Sequence, residues 1–138
     1  MYSFETQLRV RYGETDQMGY LYYGNYAQFY EVGRVETMRS LGMSYKTLET
    51  DYGILMPVMS MQVRYVRPAF YDDLLTIKTT IRHFPEKTIT FYSEIFNEQK
   101  KLINGGEVKL CFVDAATKKT IPVPEVISNP LLPYFETI

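Results

Sequence analysis

The chain contains one cysteine, one histidine and no tryptophan, and it has no long apolar run. The lone Cys111 excludes an internal disulfide, and its alternating apolar surroundings predict a thiol packed in a strand core rather than a nucleophile. The lone His83 excludes multi-histidine sites, so no metal centre is expected. It also leaves one candidate base for a serine or cysteine triad, at a predicted strand end in Arg82-His83-Phe84-Pro85. The nearest approach to a nucleophile elbow, Gly42-Met43-Ser44-Tyr45-Lys46, lacks the second glycine and follows a helical pattern instead of a strand. Serine-hydrolase chemistry is therefore not expected.

Nowhere do about 18 consecutive apolar residues suggest a membrane span, and Met1-Tyr2-Ser3-Phe4-Glu5 opens no signal-peptide core. A cytoplasmic location is expected. An excess of one charge is also missing: a net charge of −1 gives no bulk attraction for nucleic acid or anionic membrane, which favours a small ligand. What is present, 138 residues with 46% hydrophobic and 22% charged content, fits a single domain over 1–138.

Phe4, Thr6, Leu8, Val10 and Tyr12 alternate with Glu5, Gln7, Arg9 and Arg11, predicting a first strand with one buried face. Asn25 is placed to cap a helix over about 25–41 in which Tyr26, Phe29, Tyr30, Gly33, Thr37 and Leu41 share a face and Gly42 ends the run. Gly33 costs such a helix up to about 1 kcal/mol relative to alanine, which points to close approach of another backbone. Ser44 begins a second short helical pattern over 44–51, stopped by Gly53.

Four further strands are predicted. The first, 56–66, turns Met59, Met61, Val63 and Tyr65 inward, and the second, 73–83, turns in Leu75, Ile77 and Ile81. In 87–97 the alternating residues are Ile89, Phe91, Ser93 and Ile95, and in 105–114 they are Val108, Leu110 and Phe112. The tail allows at most a short helix beginning near Pro124, because Pro130 and Pro133 prevent its extension. This order argues an α+β domain with antiparallel hairpins around one dominant helix.

Between the first strand and that helix runs Tyr12-Gly13-Glu14-Thr15-Asp16-Gln17-Met18-Gly19-Tyr20-Leu21-Tyr22-Tyr23-Gly24-Asn25-Tyr26. It puts a carboxylate on a loop just before a helix start, where unpaired N–H groups and a partial positive charge can hold a developing oxyanion. Aspartate is ordinarily ionised at neutral pH, so Asp16 can attack a carbonyl or activate water. Asp is equally at home as a turn or capping residue in a Thr-Asp-x-x-Gly loop. Glu14 and Glu31 are alternative carboxylates, with Glu31 and Arg34 spaced for a helix ion pair. Tyr12, Tyr20, Tyr22, Tyr23, Tyr26 and Tyr30 crowd the same region; Tyr20 and Tyr23 are the better candidates for a pocket wall and the rest for packing.

With Tyr12, Glu14, Thr15, Asp16, Gly19, Tyr22, Asn25, Tyr26, Glu31 and Arg34 so placed, the chain resembles the hotdog-fold acyl-CoA thioesterases of the 4-hydroxybenzoyl-CoA thioesterase type. The run Val63-Arg64-Tyr65-Val66-Arg67-Pro68-Ala69-Phe70-Tyr71-Asp72-Asp73 resembles the family's second-strand signature. The resemblance implies an antiparallel five-stranded sheet wrapped around one long helix. It further implies a homodimer with a continuous sheet, or a homotetramer, and acyl-CoA at the subunit interface. Asp16 would be the catalytic carboxylate, as nucleophile or general base, and the backbone near Tyr23 and Gly24 would bind the thioester carbonyl. Tyr20, Tyr22 and Asn25 would contact substrate. Coenzyme A belongs to the substrate, and neither a separate cofactor nor a metal is implied; an acyl-carrier-protein thioester is an alternative partner.

Many relatives in the Tol-Pal-associated branch carry histidine where this chain has Tyr23. A phenol is protonated at neutral pH and donates hydrogen bonds but makes a poor base. Arg64, Arg67, Arg82 and Lys87 are candidates for CoA phosphates, although strand lysines and arginines are usually only solvated. Two rival readings use the same fold. A noncatalytic acyl-CoA sensor would use Asp16 only to hold the loop, and a hotdog hydratase or dehydratase would need a histidine that the long helix lacks.

Overall fold

Alternation at the start of the chain builds β1 (Tyr2–Arg9), with Tyr2, Phe4, Thr6 and Leu8 turned inward and the residues between them turned to solvent. The computed structural model describes residues 1–135; the last three residues of the expected 1–138 domain lie outside the described residues. The inward face ends sooner than expected. Val10 is buried, but Tyr12 is exposed because the chain leaves the strand for a 3-10 turn over Tyr12–Glu14.

A second 3-10 turn, Tyr23–Asn25, runs directly into the long helix α1 (Tyr26–Ser40). Tyr26, Phe29, Tyr30, Gly33 and Thr37 face the core as their spacing predicts, joined by Arg34 and Met38. Asn25, just before α1, has helical backbone angles and makes no side-chain cap, contrary to expectation. Its amide is engaged elsewhere, as described below. Gly42, at φ +88°, ends the run in the left-handed region that glycine enters without strain. Ser44 caps α2 (Tyr45–Asp51) by accepting the Thr47 N–H at 3.1 Å.

The remaining strands are β2 (Ile54–Leu55), β3 (Val58–Tyr65), β4 (Leu74–Ile81), β5 (Thr88–Phe96), β6 (Leu102–Asp114) and β7 (Thr120–Ile121). Every pairing is antiparallel, and the long strands run in the order β1-β4-β5-β6-β3. The two-residue strands β2 and β7, not anticipated, pair with the far end of β6. Helix α1 lies against β1, β4 and β5, so the sheet curves around it. Gly33 makes that approach possible: a Cβ there would sit 2.5 Å from Thr79 Oγ1 and 2.8 Å from Ile77 Cγ2.

Strand β3 departs most from expectation. Met59, Met61 and Tyr65 were expected inside, yet they are 55%, 44% and 54% exposed. The strand hydrogen-bonds only to β6 and occupies the sheet edge, so its apolar face extends past the helix. Its contact with β6 depends on Gly106. A Cβ at that residue would lie 2.2 Å from the Gln62 carbonyl oxygen and 2.7 Å from the Tyr30 hydroxyl, which donates to Asn104 Oδ1.

Three smaller expectations are also corrected. Cys111 is half-buried rather than in the core, because in β6 it shares the face of Lys109 while Val108, Leu110 and Phe112 point inward. Arg34 is buried and makes no ion pair with Glu31 among the described residues; it packs near Tyr45 instead. The tail forms α3 (Glu125–Phe135), an 11-residue helix that passes through both Pro130 and Pro133. Each interior proline removes a helix hydrogen bond, and the helix persists with its apolar face packed into the core. Ile127 and Leu131, one turn apart, are both fully buried, and Tyr134 and Phe135 pack edge-on against Tyr2 and Phe84.

Candidate active site

The loop that follows the first 3-10 turn is folded around Asp16. Its Oδ1 accepts the N–H groups of Met18 at 2.9 Å and Tyr20 at 3.1 Å. Asp16 N–H donates to the Tyr20 carbonyl at 2.8 Å, and Gly19 N–H returns to the Asp16 carbonyl at 2.9 Å. Gly19 has φ +85°, a conformation that side-chain-bearing residues rarely adopt. The turn role and the site role of Asp16 are thus compatible. One carboxylate oxygen closes the turn, and among the described residues the other has no hydrogen-bond partner.

The loop is stitched to its surroundings on both sides. Thr15 pairs with Leu21 and Tyr20 pairs with Phe70 in isolated bridges, and Leu21 N–H donates to the Ala69 carbonyl at 2.7 Å. The Glu14 carbonyl accepts twice, from Tyr22 N–H at 2.9 Å and from Asn25 Nδ2 at 2.8 Å. Asn25 N–H then donates to the Tyr22 carbonyl at 2.9 Å, and Tyr26 N–H to that of Tyr23. The intervening amides of Tyr23 and Gly24 have no hydrogen-bond partner among the described residues. These are the orphan donors of a helix start, where the helix dipole favours negative charge.

Between the start of α1 and the end of β3 lies a cleft of about 300 Å³. Asp16, Tyr20 and Tyr23 all line it, together with Tyr26, Tyr65 and Arg67. Tyr65 stands edge-on to both Tyr23 and Tyr26, with ring centroids 6.2 and 5.6 Å away, and Tyr20 stands edge-on to Phe70 at 5.5 Å. Burial, and then the nearby Tyr65 oxygen, push the Tyr26 phenol up to about 12. It stays a neutral hydrogen-bonding group. The Tyr22 phenol is also held above its ordinary value, first by hydrogen bonding with Tyr23 and then by Tyr23's charge.

The other residues expected at the site, Tyr22, Gly24 and Asn25, do not line the cleft. Gly24 is next to Tyr23 but is not part of the cleft wall; the Tyr22 ring covers it, so that a Cβ there would lie 2.6 Å from Tyr22 Cε2. Asn25 is turned back to Glu14. Tyr65 was assigned to the core by its alternation and is a cleft residue instead, since nothing in β3 itself reveals that this strand lies at an edge. Arg67 reaches the cleft while donating to the Leu102 carbonyl at 2.6 Å. Arg82 lies 3.8 Å over the Tyr92 ring, beside a different depression on the opposite face of the sheet. That depression and a neighbouring one containing His83 carry mixed charges and no helix start. Among the described residues no cluster of three or more potential metal ligands occurs, and no helix is long and apolar enough to cross a membrane.

A curled antiparallel sheet around one helix has many counterparts among solved structures. The family model described as the thioesterase-like superfamily matches residues 10–131. The chain belongs to that family, has its hotdog fold and is a thioester hydrolase. It is similar to a protein of Escherichia coli named acyl-CoA thioester hydrolase YbgC, with 33% identity over 124 residues covering 90% of this chain and 92% of that one. A DHNA-CoA thioesterase from Staphylococcus aureus has a similar structure, with TM-score 0.84 and 34% identity, covering 98% of this chain and 85% of that one. A 4-hydroxybenzoyl-CoA thioesterase mutant bound to 4-hydroxybenzoyl-CoA shares the fold at TM-score 0.84 and 21% identity, covering 93% of this chain and 97% of that one.

Proposed function

We propose that this chain hydrolyses acyl-CoA thioesters to a free acid and coenzyme A, in the cytoplasm and with no separate cofactor. The observation that carries this reading is that Asp16, with one carboxylate oxygen unbonded, and Tyr23, at the helix start where two amides are unpaired, line the same cleft. The thioester carbonyl oxygen accepts from those amides, which stabilise the negative charge that develops as the carbon becomes tetrahedral. Asp16 then acts by one of two routes. As a nucleophile it bonds to the carbonyl carbon, the C–S bond breaks, the thiolate takes a proton, and water cleaves the resulting anhydride. As a general base it takes a proton from the water that attacks. Single turnover in ¹⁸O-water that leaves label in Asp16 identifies the nucleophilic route with water attacking the Asp16 carbonyl of the anhydride, since the general-base route labels only the product acid.

Tyr20, Tyr23, Tyr26 and Tyr65 form an amphipathic wall for the acyl group, and Arg67 offers the nearest positive charge for a CoA phosphate. The unpaired edge of β3, with Val58, Met59, Met61 and Tyr65 exposed on it, supports pairing with the same strand of a second copy. Such a homodimer closes the cleft from the open side, and dimers can pair again into a homotetramer. Thiol release across short, long and aromatic acyl-CoAs, with acyl-carrier-protein thioesters alongside, tests the reading. Turnover of at least one CoA thioester is expected. Binding of all of them with turnover of none would make the chain a sensor.

A further inference from the structure

We infer that Asn25 is a positioning residue for hydrolysis: its side chain sets the distance between the attacking carboxylate and the carbonyl-binding amides. This inference rests on the Asp16 reading above and adds a member to that site. Asn25 is the residue just before α1, where an asparagine normally turns its side-chain oxygen onto the helix's own free N–H groups. Here its backbone is helical, no cap forms, and the side-chain nitrogen reaches back 11 residues to the Glu14 carbonyl at 2.8 Å. No side-chain cap forms at Asn25, and its amide nitrogen is committed to the Glu14 carbonyl instead.

The acceptor explains the arrangement. Glu14 is two residues before Asp16, and its own side chain is fixed: Oε1 accepts Arg11 N–H at 2.7 Å and Oε2 accepts Arg11 Nη2 at 3.2 Å. Glu14 is 9% exposed. A rigid, mostly buried peptide group thus carries the attacking loop on one side and the start of α1 on the other. Tyr22 N–H fixes the near end of the turn to the same oxygen, at 2.9 Å, and the Asn25 bond fixes the far end. Tyr23 and Gly24, which supply the free amides, lie between those two tethers. Without the Asn25 bond the Tyr22 bond persists, so the loop stays folded while the angle between carboxylate and amides loosens. A displacement of about 1 Å at reacting groups can remove about 10²-fold in rate. Binding of CoA to the cleft walls does not depend on that angle.

Asn25→Ala and the isosteric Asn25→Asp remove the donor and test the inference beside Asp16→Asn. The expected result for both Asn25 variants is a kcat 10- to 100-fold below wild type, KM within about threefold of wild type and a largely retained melting temperature. A kcat within twofold of wild type in both would overturn the inference. So would rate losses that match a lost fraction of folded protein in an active-site titration, because they would reduce Asn25 to a structural residue. If Asn25→Ala does not fold, Asn25→Leu, of similar size and with no donor, replaces it under the same criteria. An inactive Asp16→Asn with fully active Asn25 variants would remove only this inference. A fully active Asp16→Asn would remove the site reading and this inference together.

Discussion

Asp16 and Tyr20 hold each other through two hydrogen bonds that run in opposite directions. The Asp16 amide donates to the Tyr20 carbonyl at 2.8 Å, and the Tyr20 amide donates to Asp16 Oδ1 at 3.1 Å. The side chain is thereby oriented by the loop it terminates. An asparagine side chain presents the same acceptor at Oδ1 while losing the negative charge, so charge and shape can be separated experimentally.

Asp16→Asn is therefore expected to keep the fold and lose the chemistry. Removing one positioned acid-base group commonly costs about 10²- to 10⁴-fold in rate. A thiol-release assay should show a kcat lower by that order, with an unchanged circular-dichroism spectrum and a melting temperature close to wild type. Wild-type turnover in the purified variant would remove Asp16 from the mechanism.

Gly33→Ala tests the packing of α1 on the sheet. Alanine gains up to about 1 kcal/mol of helix propensity, but its Cβ would meet Thr79 and Ile77 at 2.5 and 2.8 Å. Overpacking of this kind costs about 1–3 kcal/mol, so the clash outweighs the gain. Urea denaturation should give a lower midpoint for the variant, and an unchanged or higher one would contradict the close approach.

Met61→Glu addresses the edge of β3. Met61 is 44% exposed, so the substitution costs a single subunit little, whereas in a paired edge it buries a charge against its own copy. Sedimentation should find the wild type as a dimer or larger and the variant shifted toward monomer. Equal masses for the two proteins would place the subunit contact elsewhere.

The Tyr26 phenol links stability to alkaline pH. Its value is raised from 10.0 to about 12 in the folded chain, so between those values the folded state holds a proton that the unfolded state has lost. Its contribution is fully present below pH 10 and is lost as pH rises toward 12. Tyr26→Phe should flatten the decline in the urea midpoint over this window. Part of the decline remains, because burial also raises Tyr30 and Tyr45. An identical decline in wild type and variant would rule out the linkage.

Most of this architecture can be read from local patterns, because it depends on which face of an element is apolar. The alternation of Ile89, Phe91, Ser93 and Ile95 identifies the inner face of β5, and Gly33 marks the contact between helix and sheet before either partner is known. Errors arise where a residue's partner is set by topology. Met59, Met61 and Tyr65 alternate as a core strand would, and only the strand order reveals that β3 lies at the edge. Pro130 and Pro133 argue locally against the helix that burial of Ile127 and Leu131 sustains. At the site, the Asp16 loop is legible because Gly19 and the turn chemistry are local. The reach of Asn25 to Glu14 is not, since an asparagine before a helix reads first as a cap.

Gly106 ties parts of the molecule together that have no other reason to vary in concert. The missing side chain is the space into which both the Gln62 carbonyl and the Tyr30 hydroxyl project. Any methyl group introduced there must push the outermost strand off its neighbour, lift the long helix, or do both. A single-atom change would thus propagate to the sheet margin and, through Tyr65 and Tyr26, to the aromatic lining of the cleft at the start of α1. Substitutions at this one backbone position should disturb assembly and turnover together, even though Gly106 contributes no functional group to either.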